Sequence, residues 1–170
     1  MESSWRCVLV VAVLTAVHLL PGCGGGEEEL DLGQYFERLE DISDVQDARV
    51  DALREESQGV GDDIETTRRY FAGFSDTLRQ VLKDMQAMHP PAEVREAHSE
   101  QVRAAAELLA LLEDFSDQLA DVESTSDLRA VLAKLDEPPL ETAMERAVSA
   151  CQQVQAIADE NGIEVDLACK

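Results

Sequence analysis

The chain has 170 residues, enough for one domain with a modest hydrophobic core, and carries a formal net charge of −22. This charge argues against nucleic-acid binding, which needs a basic surface. It also disfavours docking on a membrane surface made of anionic lipid. The charge is uneven, because residues 27–65 hold 15 acids against 3 arginines. A basic partner, divalent cations and solubility alone are all compatible with it.

The amino terminus has the pattern of a secretory signal peptide. Residues 1–6 are polar with Arg6 as the only base, and residues 7–20 are almost wholly apolar. Those 14 residues suit the core of a signal peptide and are too few to span a bilayer comfortably, which takes about 20 residues. We therefore expect residues 1–22 to be removed on export.

The sequence Leu20-Pro21-Gly22-Cys23 resembles a bacterial lipobox, in which a small residue precedes the cysteine that receives lipid. Pro21 departs from the family pattern and the other three residues fit it. The resemblance implies a bacterial lipoprotein anchored by acyl chains on Cys23 at the extracytoplasmic face of the cell membrane. Residues 23–30 are then the lipidated cysteine and a flexible acidic tether. The alternative is an ordinary secretory signal that leaves Cys23 as a free thiol.

Apolar side chains recur with helical period between residues 32 and 57, which predicts a first helix. They are Leu32, Tyr35, Phe36, Leu39, Ile42, Val50 and Leu53. The stripe is thin in its middle, where Gln46 and Arg49 fall, so packing in a bundle and projection as a stalk both stay open. Gly59-Val60-Gly61 then interrupts the helix as a turn or a kink, and Asp62 or Asp63 can cap the next one.

The next two helices each carry a seam of residues spaced three and four apart, which lie on one helix face. The seam of the second helix comprises Ile64, Thr67, Phe71, Phe74, Leu78, Val81, Met85 and Met88. His89-Pro90-Pro91 ends this helix, and Pro91 suits the first turn of a third. The third seam comprises Val94, His98, Gln101, Ala105, Leu108, Leu112, Phe115, Leu119 and Val122. Two consecutive helices joined by a short link should pack antiparallel.

Two further helices complete the predicted fold. Ser124-Thr125-Ser126-Asp127 suits the cap of a helix to about Leu135, which the prolines of residues 136–139 must break or bend. A last helix starts near Leu140 and stops at Asn161-Gly162. Its apolar side comprises Met144, Ala147, Cys151, Val154 and Ala158. Residues 31–170 are therefore predicted to be an all-α, antiparallel bundle of three to four principal helices with a short C-terminal tail.

The four cysteines differ in their expected fates. Cys7 leaves with the signal peptide and Cys23 takes lipid. Cys151 and Cys169 remain, and in an exported protein they most simply form a disulfide. A tail folded back along the last helix would bring Cys169 to Cys151, because eight extended residues cover the helix rise of about 15 Å. The alternative is two free, buried thiols.

No motif in the sequence predicts an active site. The nucleophile-elbow, zinc-protease and phosphate-loop patterns are missing, so we expect neither an enzyme nor a cofactor. A metal site would use His89 and His98 with neighbouring carboxylates. The Glu-x-x-His motif of di-iron bundles is absent, however, and no acidic run has the ligand spacing of an EF-hand. We expect no metal site, and His98 to lie hydrogen-bonded or partly solvated at the end of the bundle.

A broader resemblance covers most of the mature chain. Pro90-Pro91-Ala92-Glu93 through His98, with the closing Cys151 and Cys169, is similar to small uncharacterised helical lipoproteins of high-GC bacteria, and implies no known activity. The anchor, the tether and the missing catalytic motifs predict an acidic interaction module that engages a basic envelope protein. The alternative is an envelope lipoprotein that binds a cation or a small ligand.

Overall fold

A computed structural model describes residues 29–58 and 60–169, and these residues form α-helices and connecting turns without a strand. The helices are α1 (Leu32–Glu56), α2 (Ile64–Gln86), α3 (Arg95–Ala120), α4 (Thr125–Leu132) and α5 (Leu140–Glu160). A short 3-10 turn, Ala133–Asp136, separates α4 from α5. The four long helices form an antiparallel bundle in which each packs on the next, in the order α1, α2, α3, α5. The predicted fold is confirmed.

The first helix packs in the bundle and does not project as a stalk. It begins with a capping box, in which Asp31 Oδ1 accepts from the Gln34 amide at 2.8 Å and the Gln34 side chain accepts from the Asp31 amide. Near its other end α1 lies very close to α2, because a Cβ on Gly73 would lie 2.5 Å from Leu53 Cδ2. The interruption after α1 is a full turn, with Gly61 at a φ of 95° that favours glycine.

The core is built in three layers between the helices. The layer at the amino-terminal end of α1 includes Tyr35, Phe36, Leu39, Met85, Met88, Val94, Val154 and Leu167. The middle layer comprises Leu78, Leu82, Ala105, Leu109, Leu112 and Leu140. The layer at the opposite end comprises Phe71, Phe115, Leu119, Val122 and Leu128. Most seam positions predicted for α2 and α3 contribute to these layers, as the helical period requires.

Two helix boundaries differ from the prediction. The third helix begins at Arg95 and not at Pro91, because Val94 first closes a turn by donating its amide to the Pro91 carbonyl at 3.2 Å. That turn buries Val94 completely. The fourth helix ends at Leu132, where the backbone tightens into a 3-10 turn that packs Leu135 against the two cores beside it.

One arginine ties α2 to the end of α3. Arg68 donates to the carbonyls of Leu119 at 2.9 Å, Ala120 at 2.8 Å and Val122 at 2.6 Å. The last carbonyls of a helix have no partner within it. Arg68 therefore stabilises the C-terminus of α3 from outside the helix.

Candidate functional site

The bundle is open along one side, between α1 and α5. These two helices do not pack against each other along their length, although each packs on its other neighbour. A groove with a volume of about 250 Å³ lies between them, and we call it the seam groove. Its floor is apolar and is formed by α2 and α3, with Phe74, Leu78, Val81 and Met85 from α2 and Ala105 and Leu108 from α3.

The two walls of the seam groove differ in polarity. The α1 wall is mixed, with Leu39 and Ile42 followed by Ser43, Gln46 and Asp47. The α5 wall is apolar and comprises Met144, Ala147, Val148 and Cys151. The thin middle of the α1 stripe is therefore one wall of the groove. Met144, predicted on the apolar side of α5, is 51% exposed at its rim.

The C-terminal tail lines the groove through Leu167, Ala168 and Cys169. The predicted disulfide between Cys169 and Cys151 is present, and the two Cα atoms lie 5.6 Å apart. Gln155 on α5 pairs with the tail twice, accepting from the Leu167 amide at 3.0 Å and donating to the Val165 carbonyl at 2.9 Å. The hydroxyl of Ser43 on α1 donates to the Leu167 carbonyl at 3.2 Å. The tail is thus held by α5 and α1 together.

One residue that lines the groove, Gln101 on α3, carries a buried polar atom without a partner. Gln101 Oε1 is buried and accepts no hydrogen bond within the described part of the chain. Two serine hydroxyls, on Ser75 and Ser116, share this condition but do not line the groove. A buried acceptor without a donor costs about 1–3 kcal/mol, so Gln101 Oε1 is a local cost to the packing of α3.

His98 is buried near the end of the bundle and is hydrogen-bonded, which is the first of the two states expected for it; it is not partly solvated. Its Nδ1 lies 3.1 Å from the Tyr35 hydroxyl, and the ring also donates to the Met85 backbone carbonyl. These contacts suit a neutral ring that accepts from Tyr35 and keeps its single proton for Met85. Burial lowers the pKa of His98 below its usual 6.5 and raises that of Tyr35.

The structure does not assemble the metal site considered for His89 and His98. Both histidines line a shallow cleft at the amino-terminal end of the bundle with Glu29 and Arg95. Within residues 29–58 and 60–169, no three side chains of the metal-binding types converge. Since the His98 ring is occupied by Tyr35 and a backbone carbonyl, metal binding there would first have to break those contacts.

The outward side of α1 is acidic. Glu37, Asp41, Asp44, Asp51 and Glu55 follow the helical spacing along one exposed stripe, which we call the acidic face of α1. Val45, 53% exposed, lies at the edge of this stripe, one turn after Asp41 and one turn before Arg49. Elsewhere arginines cross-link the helices, as Arg79 does to Glu113 between α2 and α3. Among the described residues, no such inter-helix ion pair covers the acidic face of α1.

The predicted lipidation residue Cys23 lies outside the described residues, as do residues 1–22 and most of the expected tether. The last two tether residues contact the bundle: Glu29 pairs with Arg95 at 2.8 Å, and the Leu30 amide donates to the His89 carbonyl at 3.0 Å. Over the range that the structure covers, no helix is both long and apolar enough to cross a bilayer.

Comparison with protein-family models, curated proteins and solved structures finds no match to this chain. The seam groove was not predicted from the sequence, although its lining residues Gln101, Leu108 and Ala147 were placed on helix seams. The signal that could have revealed it is the polar middle of α1. A bundle helix that presents Gln46 and Asp47 toward an apolar neighbour cannot close tightly on it.

Proposed function

We propose that the protein is an extracytoplasmic lipoprotein, held at the membrane by lipid on Cys23, that binds a basic partner protein through the acidic face of α1. The observation that carries this proposal is the composition of that face. It combines five exposed carboxylates on one helix stripe, one of them paired with Arg54 of the same helix, and a stripe of one charge is complementary to a basic surface.

The position of the first described residues supports anchoring close to the membrane. The pairing of Glu29 with Arg95 holds the start of the bundle beside the loop between α2 and α3. Cys23 lies six residues before Glu29, and six extended residues reach about 20 Å. A lipid on Cys23 would therefore keep this end of the bundle near the bilayer and leave α1 accessible along its length.

Lipid attachment is tested by the intact mass of the protein recovered from native membranes. We expect cleavage before Cys23 and an added mass of several acyl chains, because a single chain anchors only weakly. The variant Cys23→Ser should lose the added mass and leave the membrane fraction. A mature protein that starts elsewhere, or carries no acyl chain, would contradict the anchor.

The partner is tested by crosslinking and recovery from native membranes at low and high salt. The double variant Asp41→Lys/Asp44→Lys should lose a stoichiometric partner, since reversed charges repel a basic surface. The control is Asp114→Lys/Asp117→Lys, which changes the same charge on exposed positions of α3. Equal loss in both variants would indicate a general effect of net charge. Recovery of the protein without a partner under both salt conditions would refute the proposal.

The alternative function, binding of a cation or a small ligand, divides into two cases. For cations, calorimetry with zinc, copper and calcium should show binding that the variant His98→Ala weakens. Binding unchanged by that substitution would exclude His98 as a ligand. For small ligands, the apolar seam groove between α1 and α5 is the structural feature that supports binding.

A further inference from the structure

The C-terminal tail bridges α1 and α5, which do not pack against each other along their length. We call its residues 163–169 the strap. Leu167 is buried in the core layer at the amino-terminal end of α1, with 5% of its surface exposed. Ser43 on α1 donates to the strap from one side, and Gln155 on α5 pairs with it from the other. The strap therefore bounds one end of the seam groove.

Few noncovalent contacts keep the strap in place. Besides Leu167, two partly buried residues, Ile163 and Val165, pack against the core layer. The strap has neither helix nor strand structure, so no regular series of backbone hydrogen bonds offsets the conformational entropy that its seven residues lose. Its closed position thus depends on the covalent bond at its end, the disulfide to α5.

The backbone next to the disulfide is strained. Ala168 has a φ of 50°, in the left-handed region, which is costly for a residue with a Cβ atom. It lies between two fixed neighbours, the buried Leu167 and the disulfide-bonded Cys169. Breaking the disulfide frees one neighbour and lets Ala168 return to an ordinary conformation. The strain therefore favours the reduced, open form of the strap.

The disulfide lies at the edge of the bundle core. Cys151 and Cys169 are both partly buried, and both line the seam groove. A thiol reduces a disulfide by direct attack on one of its sulfur atoms, so the reaction requires access to that atom. Because the bundle is open along the seam groove, a small thiol has a route to this disulfide without unfolding of the helices.

We propose that the disulfide between Cys151 and Cys169 is a redox switch that controls the strap. A thiol reductant breaks the sulfur–sulfur bond by forming a mixed disulfide with one cysteine, and a second thiol then releases that cysteine. Two electrons and two protons pass to Cys151 and Cys169, and the reductant leaves as its own disulfide. The strap then detaches from α1 and α5, and Leu167 leaves the core layer, which widens the seam groove at that end. Neither lipid on Cys23 nor the acidic face of α1 is involved, so the switch stands or falls independently of them.

The test is equilibration of the full chain with glutathione buffers of graded reduced-to-oxidised ratio, without denaturant. Alkylation and peptide mass mapping report the thiols of Cys151 and Cys169 separately from those of other cysteines. We expect a measurable reduced fraction, in which the strap amides, such as that of Leu167, exchange hydrogen at least about tenfold faster while α2 and α3 are unchanged. A disulfide that stays oxidised in excess reduced glutathione would be purely structural and would overturn the proposal. A reduced strap that keeps its protection, or equal loss of protection in α2, would also overturn it.

One substitution tests the strain at Ala168. Ala168→Gly should lower the equilibrium constant for reduction about threefold to tenfold, because glycine adopts a positive φ without cost in the closed strap. The control is Glu164→Gly, at an exposed strap position whose φ is not positive, which adds chain flexibility without relieving strain and should not lower that constant. Equal decreases in both variants would refute the role of Ala168.

A second substitution tests the contacts of the strap. Gln155→Leu removes both of its hydrogen bonds with the strap, so it should raise the equilibrium constant for reduction about threefold to tenfold. Gln152→Leu, on the exposed side of the same helix, should leave that constant unchanged. If both variants are reduced as the native protein is, closure of the strap is not coupled to the disulfide and the switch is refuted.

Discussion

Removing one oxygen from Tyr35 should measurably destabilise the bundle. Tyr35 is fully buried, and its hydroxyl is a hydrogen-bond partner of His98 Nδ1. Tyr35→Phe keeps the ring and its edge contact with Phe36 but leaves a buried imidazole nitrogen without a donor. Leaving such a group unsatisfied costs about 1–3 kcal/mol. We expect the free energy of unfolding in water to fall by that amount, and the slope of that free energy against urea concentration to stay the same.

The second tyrosine of the chain supplies the control. The Tyr70 ring also packs on an aromatic neighbour, Phe71, but its hydroxyl has no hydrogen-bond partner among the described residues. Urea denaturation followed by circular dichroism should therefore show a change within about 0.5 kcal/mol for Tyr70→Phe. If Tyr35→Phe is no more destabilising than Tyr70→Phe, the contact with His98 does not contribute to stability as we infer.

The burial of His98 against Tyr35 also predicts how the stability depends on pH. Because burial lowers the pKa of His98 in the folded state, the unfolded chain takes up its proton first as the pH falls below 6.5. The contribution of His98 is therefore fully present above pH 6.5 and is lost toward its lower folded pKa. The loss is at most about 1.4 kcal/mol per pH unit. The variant His98→Gln should lack this component of the slope, and an unchanged slope would contradict the assignment.

Two further predictions concern links between elements. Cys151→Ser/Cys169→Ser should lower stability by about 3 kcal/mol and the melting temperature by about 6–12 °C, because the disulfide closes a loop of 18 residues. Reductant should do the same to the native protein and nothing to the double variant in thermal scans. Arg68→Ala should cost about 1.5–3 kcal/mol in urea denaturation, since three carbonyls lose a charged donor, whereas exposed Arg69→Ala should change little. Equal effects at the two arginines would refute the capping role of Arg68.

The helices were predictable because their signals are local. Three- and four-residue spacing defined α2 and α3, and Asn161-Gly162 ended α5 where a turn follows. The fold-back of the tail could also be predicted, because a disulfide between Cys151 and Cys169 requires the tail to return along α5. The early start expected for α3 was wrong because Pro91 begins a separate turn that Val94 closes. Such a turn and the first turn of a helix begin with similar backbone angles, so the sequence does not distinguish them.

The seam groove could not be predicted because it depends on which neighbour covers each apolar face. Periodicity places Leu108 and Ala147 on apolar helix sides, yet both face the gap between α1 and α5. To cover them, α1 would have to pack against α5, but the residues of α1 that line this part of the groove are Gln46 and Asp47. Closing the gap would bury a carboxylate against an apolar floor, which costs more than the contact returns. The polar middle of α1 thus accounts both for the thin stripe in the sequence and for the groove in the fold.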